Sequence, residues 1–334
     1  VTLLILVFGF LFGAILQSAK LNRFNVISGM ATLEDFSVAK AIAVAIGIGA
    51  ILINLEISFG VATYHVKPLL LGGIAIGGLI FGSGMAILGY CPGTLAVSIG
   101  EGSLDALVGV VGAIVGGIVY TLVLPNLQVV LGPDFGKISA NTLLGNGPLF
   151  FVVVFIFGLA LVALAFALNK KEGKKNYNWL GAGAGLAVLD AIAFRTSVFD
   201  RPIGASTTYP YLGDTLIGLT SNDYFKSIEK PGHWELIFLF GALISGLVIS
   251  LLRKEFKPQL IHSRWESYKG TSTIKRIVWA FVGGFILLLG ARMAGGCTSG
   301  HILSGGMQLA ISSLVFAVFV FAGLLITGKF FYKK

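Results

Sequence analysis

The sequence predicts an all-α fold: a polytopic membrane protein with about nine transmembrane helices in two inverted repeats, each carrying a re-entrant half-helix loop. Three observations predict it. Of 334 residues, 56% are hydrophobic and only 12% charged, whereas a soluble domain carries about 25% charged residues to cover its water-facing surface. The apolar runs approach or exceed the ~18–20 residues that cross a bilayer, and 46 glycines suit membrane helices whose backbones approach closely. Finally, residues 77–100 (GGLIFGSGMAILGYCPGTLAVSIG) and 283–306 (GGFILLLGARMAGGCTSGHILSGG) align at an offset of 206 without a gap. Gly77, Gly78, Ile80, Gly84, Gly89, Cys91, Ser98 and Gly100 fall on Gly283, Gly284, Ile286, Gly290, Gly295, Cys297, Ser304 and Gly306, and the two cysteines are the only ones in the chain.

Nine apolar segments follow in order: 3–19, 39–59, 69–90, 105–124, 148–168, 178–198, 235–252, 277–295 and 308–328. The first is long and lacks a small-residue cleavage site, so it reads as a membrane segment and not as a signal peptide; Val1 in place of Met predicts a trimmed start. The whole chain reads as one membrane domain, with residues 1–147 as the first repeat, 148–177 as a linking helix and basic loop, and 178–334 as the second repeat. Residues 199–234, rich in Pro and Gly, form the longest loop; it either dips into the membrane or caps one face.

The net charge of +9 reflects topology more than a polyanionic partner, because the basic residues sit in a few loops. Lys20, Arg23, Lys40, the 170–175 cluster, the 253–276 loop and the tail together hold 17 Lys and Arg, against 5 on the alternate side: Lys67, Lys137, Arg201, Lys226 and Lys230. The positive-inside rule then places the N-terminus outside and the C-terminus in the cytoplasm of a bacterial inner membrane. Cys91 opens toward the cytoplasm and Cys297 toward the outside, with the fifth segment inverting the second copy, an arrangement familiar in transporters.

Each cysteine has the surroundings of an anion cradle. Pro92 favours the first turn of a helix, so Cys91 is read as the N-cap of a half-helix over 92–99; Thr298 and Ser299 are read as caps of the matching half-helix, ending at Gly305-Gly306. Free N–H groups at a helix start attract anions, and Gly89, Gly93, Gly296 and Gly300 let backbone approach a ligand. Chloride or phosphate needs no thiol. A thiol donates a weak S–H hydrogen bond or, as thiolate, attacks sulfur; a small apolar packing role is the alternative. Neither cysteine has metal-site spacing, and no metal or other cofactor is expected. There is no phosphate-binding loop of the GxxxxGK[ST] type and no nucleic-acid motif. Among intramembrane charges, which are functional candidates by default, Arg292 could balance a divalent anion beside Cys297, or pair with Glu56 or Asp190. Arg195 is a second candidate or a snorkelling side chain. His301 could donate to the anion or serve the structure.

The GYCPG around Cys91, the GGCTSGH around Cys297, the RPIGASTTYPYLGD run over 201–214 and the LQ…NRFN stretch over 16–25 resemble the YeeE/YedE family of sulfur-transport membrane proteins. The resemblance implies a thiosulfate importer in which loops dip from both faces toward a constriction and cysteines contact the terminal sulfur in turn, with a cytoplasmic TusA-like sulfur carrier as partner. Many relatives carry a further cysteine in an R-F-C context; here Asn25 follows Arg23-Phe24, and Asn25 takes its place as a candidate anion contact. The leading function is therefore non-enzymatic uptake of thiosulfate or a close sulfur anion. Two alternatives are a membrane sulfurtransferase that forms a cysteine persulfide and a passive anion channel.

Overall fold

The computed structural model describes residues 1–333. In chain order the helices are α1 (Thr2–Ser18), α2 (Phe24–Ala31), α3 (Ser37–Ser58), α4 (Leu71–Leu88), α5 (Pro92–Glu101), α6 (Leu104–Leu131), α7 (Ala140–Leu144), α8 (Pro148–Glu172), α9 (Asn178–Phe194), α10 (Thr208–Ile217), α11 (Asp223–Leu252), α12 (Ser263–Lys269) and α13 (Thr273–Met293). A π-helical segment (Thr298–Leu303) then runs into α14 (Ser304–Met307), and α15 (Ile311–Phe331) closes the chain. Every predicted apolar segment is a helix. Among the described residues, seven helical stretches are long and apolar enough to cross a membrane, and α1 and α9 are shorter apolar helices. Each of these two has 17 residues. The exterior is apolar: α8 alone exposes Leu149, Val152, Phe155, Ile156, Leu159 and Leu164. Such a belt is what lipid, in place of water, requires of a surface. The chain is a multi-pass membrane protein.

Helix pairing is reciprocal. α4 packs on α15 as α13 packs on α6, and α1 packs on α11 as α9 packs on α3, while α8 packs mainly on α3. At the centre α4 crosses α13 with the two backbones in near contact at several glycines. A Cβ on Gly77 would come within 2.7 Å of the Gly290 carbonyl oxygen, one on Gly290 within 2.4 Å of the Phe81 nitrogen, and one on Gly84 within 2.5 Å of the Leu287 nitrogen. Two of the aligned glycine pairs, Gly77 with Gly283 and Gly84 with Gly290, thus make the crossing, the small-residue device of membrane helix pairs.

The two faces differ. On the basic face, Lys40 is buried against Asn169 (2.9 Å) and Glu172 (2.5 Å), and Arg276 binds the fully buried Asp105 at 2.5 Å. Pairing of this kind offsets the cost of burying charge. The end of α5 is held on that face, where Lys257 and Gln259 donate backbone N–H bonds to Glu101 and Gly102. The end of α14 is held on the opposite face, where Ala140 and Ile311 donate to the Leu309 and Ile138 carbonyls. The two half-helices therefore enter the protein from opposite faces.

The 199–234 stretch is less of a loop than the sequence suggests. α10 packs against α6 and α11, with Thr208, Tyr209 and Asp214 buried. α11 begins at Asp223, twelve residues before the expected start, capped by the Asn222 side chain accepting from the Phe225 N–H at 2.8 Å. Pro231 lies inside it and removes one intrahelical bond, but packing on α1 carries the helix through.

Candidate substrate site

Gly89 ends α4 in the left-handed conformation (φ +80°), where a Cβ would also strike the Phe24 ring at 2.2 Å. The turn it permits delivers Cys91 to the N-cap of α5. The Cys91 N–H donates to Thr94 Oγ1 at 2.9 Å, and Pro92 occupies the first helical position, where its missing N–H costs nothing. The first N–H groups of the helix, on Gly93 and Thr94, face the Cys91 sulfur. Tyr209 of α10 donates its hydroxyl to the Pro92 carbonyl at 2.7 Å, so the 201–214 run is fastened to the start of this half-helix.

The second cysteine loop differs in detail. Cys297 itself, not Thr298 or Ser299, is the N-cap, and the π-turn that follows runs into α14, which ends at Met307, beyond the expected Gly305-Gly306. No proline presets the first turn here, and glycine at 295, 296 and 300 leaves the backbone free to widen. Cys297 is 1% exposed, and its sulfur lies 3.2 Å from Ser299 Oγ.

The two loops share one narrow cavity of ≈ 70 Å³. Cys91, Gly93 and Thr94 line it from one half-helix and Thr298, Ser299, Ile302 and Leu303 from the other; side chains of α1, α2, α3 and α15, such as Phe12, Met30, Ala41 and Val320, complete an apolar wall. One polar atom there is unmatched: the Thr298 hydroxyl is buried without a hydrogen-bond partner. Such an orphan is costly unless a bound group or water satisfies it.

Beyond Cys297, toward the opposite face, lies a positive cluster. Arg292 is buried. Its guanidinium donates to Tyr224 Oη (2.8 Å), Thr207 Oγ1 (3.2 Å) and Ser206 Oγ (3.4 Å). It pairs with neither Glu56 nor Asp190, and no carboxylate lies within ion-pair distance among the described residues. Lys67 reaches into the cysteine loop and donates to the Gly295 carbonyl at 2.5 Å. The space it enters exists because residue 296 is glycine: a Cβ there would be 2.1 Å from Lys67 Nζ, and one on Gly300 3.3 Å away. Arg201 stacks 4.1 Å from the Trp234 ring and sits 3.6 Å from Glu235. Three cations thus face one carboxylate, within electrostatic reach of Cys297. Lys67 lies in the connection between α3 and α4. Burial, then the neighbouring Arg292 charge, bring its pKa down to about 8. It is charged at neutral pH and loses its proton readily above that.

Not every expected contact is near. Arg195 is half-exposed and bonded to Glu56 at 2.7 Å. Its position at the very end of α9 puts it at the rim. Asn25 bonds Ser263 and the Arg264 N–H on the basic face and does not line the cavity; its neighbour Phe24 turns inward instead. His301 is buried with both ring nitrogens engaged, Nε2 to the Ala294 carbonyl at 2.7 Å and Nδ1 to Ser313 Oγ at 3.1 Å, so it orders the loop.

A family model described as sulphur transport matches residues 23–326. The chain belongs to the sulphur-transport family. The YeeE/YedE resemblance of its cysteine motifs is borne out over nearly the whole length. Among curated proteins, this sulphur-transport chain is 27% identical over 332 residues to a protein named thiosulfate transporter TsuA from Spirochaeta thermophila, covering 95% of each chain. It is also 26% identical over 133 residues to a probable transporter from Xylella fastidiosa, covering 35% of this chain and 89% of that one.

The sequence alone missed Lys67, Arg201, Glu235 and the hydroxyls of Ser206, Thr207 and Tyr224. Lys67 and Arg201 were counted as loop charges. The usable signal was the polar run over 201–214, with its own hydroxyls and no matching apolar length.

Proposed function

We propose that the protein takes up thiosulfate, or a close sulfur dianion, by passing it between the two cysteine half-helices without covalent change. The observation that carries the reading is the stacking of an unpaired cation pair, Arg292 and Lys67, above Cys297 and then a cavity lined by Cys91. A dianion is drawn to the cations. Beneath them an apolar wall penalises a fully hydrated oxyanion, while thiols offer soft S–H donors to a terminal sulfur. The likeness to the Spirochaeta thermophila transporter supports this substrate.

In this reading the halves are inverted repeats, 1–147 and 178–334, joined by the peripheral α8. The reciprocal helix pairing and the entry of the half-helices from opposite faces support it. The positive-inside bias supports an N-terminus outside and a C-terminus in the cytoplasm of the inner membrane. A TusA-like carrier would meet the released anion at the basic face.

The test is uptake of radiolabelled thiosulfate into proteoliposomes. Wild-type protein should transport thiosulfate and largely reject sulfate. Cys91→Ala and Cys297→Ala should each abolish uptake while still inserting. Full uptake by the double variant would sink the reading. Mass spectrometry of both cysteines after exposure should find bare thiols; an added sulfur on either would favour a sulfurtransferase.

A further inference from the structure

Asp190 lies in α9 one turn beyond the cavity-lining Leu186 and is 0% exposed. A carboxylate inside a membrane protein normally faces a cation. This one has none. Its Oδ1 accepts the Ile203 N–H at 3.0 Å, and its Oδ2 accepts the Ser304 hydroxyl at 2.6 Å. The titratable groups on the elements around it are engaged elsewhere. On α3, Lys40 binds Glu172 and Glu56 binds Arg195; α1 has no titratable side chain. Asp200 binds His65 and Thr63, Arg201 faces Glu235, and His301 of the π-turn bonds Ala294 and Ser313.

The hydrogen bonding fits both protonation states. Ser304 Oγ also lies 3.3 Å from the Ile203 carbonyl oxygen. When Asp190 is ionised, the Ser304 hydroxyl donates to it. When Asp190 carries a proton, it can donate to Ser304 Oγ, and the serine hydroxyl turns to the Ile203 carbonyl. No buried group is orphaned either way. Ser304 stands on the half-helix that begins at Cys297, and Ile203 on the segment that carries Arg201.

We propose that Asp190 is the proton-binding site that couples anion passage to a proton gradient. This rests on the transport reading above. Ser304 belongs to the half-helix that begins at Cys297, so a shift of that half-helix on anion entry changes the hydrogen bonding of Asp190, and by linkage a proton on Asp190 changes the affinity for the dianion. The carboxylate takes one proton from one face and returns it to the other. One proton with one dianion moves a net single negative charge.

The experiment uses purified full-length protein in liposomes with the membrane potential clamped by potassium and valinomycin, and labelled thiosulfate as substrate. An inward gradient of one pH unit should raise steady-state accumulation by up to about tenfold, since one proton per unit is worth ~1.4 kcal/mol. A luminal dye should report acidification with uptake. Asp190→Asn should keep thiosulfate counterflow and lose the response to the gradient. Accumulation indifferent to the proton gradient, no luminal acidification in wild type, or a normal gradient response in Asp190→Asn would each overturn the proposal. So would loss of counterflow in a folded Asp190→Asn protein, which would mark the residue as structural. The dye measurement on wild type decides the matter even if the variant does not fold. Absence of wild-type counterflow would instead sink the transport reading itself.

Discussion

The two cysteine half-helices share a sequence pattern but not an environment. α5 is a regular helix, preset by Pro92 and locked by the Cys91–Thr94 bond, and its cysteine faces an apolar cavity. The second copy is a π-turn, a form found mostly as short insertions at functional sites, and its cysteine sits below Arg292 and Lys67. A shared glycine and cysteine framework has been fitted with charge on one side and kept bare on the other. The charged copy suits capture of an anion. The bare copy suits release, because a site that binds too well does not let go.

The sharpest way to break that asymmetry is to remove the buried cation. Arg292→Gln should weaken the apparent affinity for thiosulfate by about 100-fold, in the ~2–5 kcal/mol range for losing one partner of a desolvated charge contact, read as KM in uptake assays. A smaller effect is expected at Lys67. Lys67→Met should cost about tenfold, as for one charge-assisted hydrogen bond of ~1.5–3 kcal/mol. Its pH dependence is a second handle. The ammonium is present below about 8 and lost above it, so wild-type uptake should fall as pH rises through that value; Lys67→Arg should flatten the fall. A substrate-bound dianion moves the midpoint upward.

Gly290→Ala tests the crossing that holds the copies together. The added methyl meets backbone at 2.4 Å, and overpacking of this kind costs ~1–3 kcal/mol, visible as a lower melting temperature in detergent. Gly84→Ala, its counterpart in the other copy, should lose a similar amount. Smallest of all, Arg195→Gln should leave uptake near wild type, because a half-exposed ion pair contributes little. A large loss there would return Arg195 to the substrate path.

Most of the helical framework was legible in the sequence because membrane helices announce themselves by apolar length. The first half-helix was legible because Pro92 marks its start. Other features were hidden for physical reasons. α10 has Pro and Gly within a polar run, and only burial against α6 and α11 makes it a helix of the interior. Lys67 looks like any loop cation until the fold brings residues 59–70 over Gly295 and Gly296. Asn25 occupies the position where many relatives hold a thiol, yet its side chain turns to the basic face, so a motif position did not fix where the group points. Arg292 was legible as an intramembrane charge, whereas its hydroxyl partners come from a segment nearly 70 residues or more away.

The meeting of α4 and α13 also constrains how the protein can move. Where backbone lies against backbone at Gly77, Gly84 and Gly290 there is little side chain to shear, so the midline behaves as a rivet. Rocking one copy against the other would tear open that contact. Opening is then less costly at the two short half-helices, whose approach turns rest on Gly89 and Gly295.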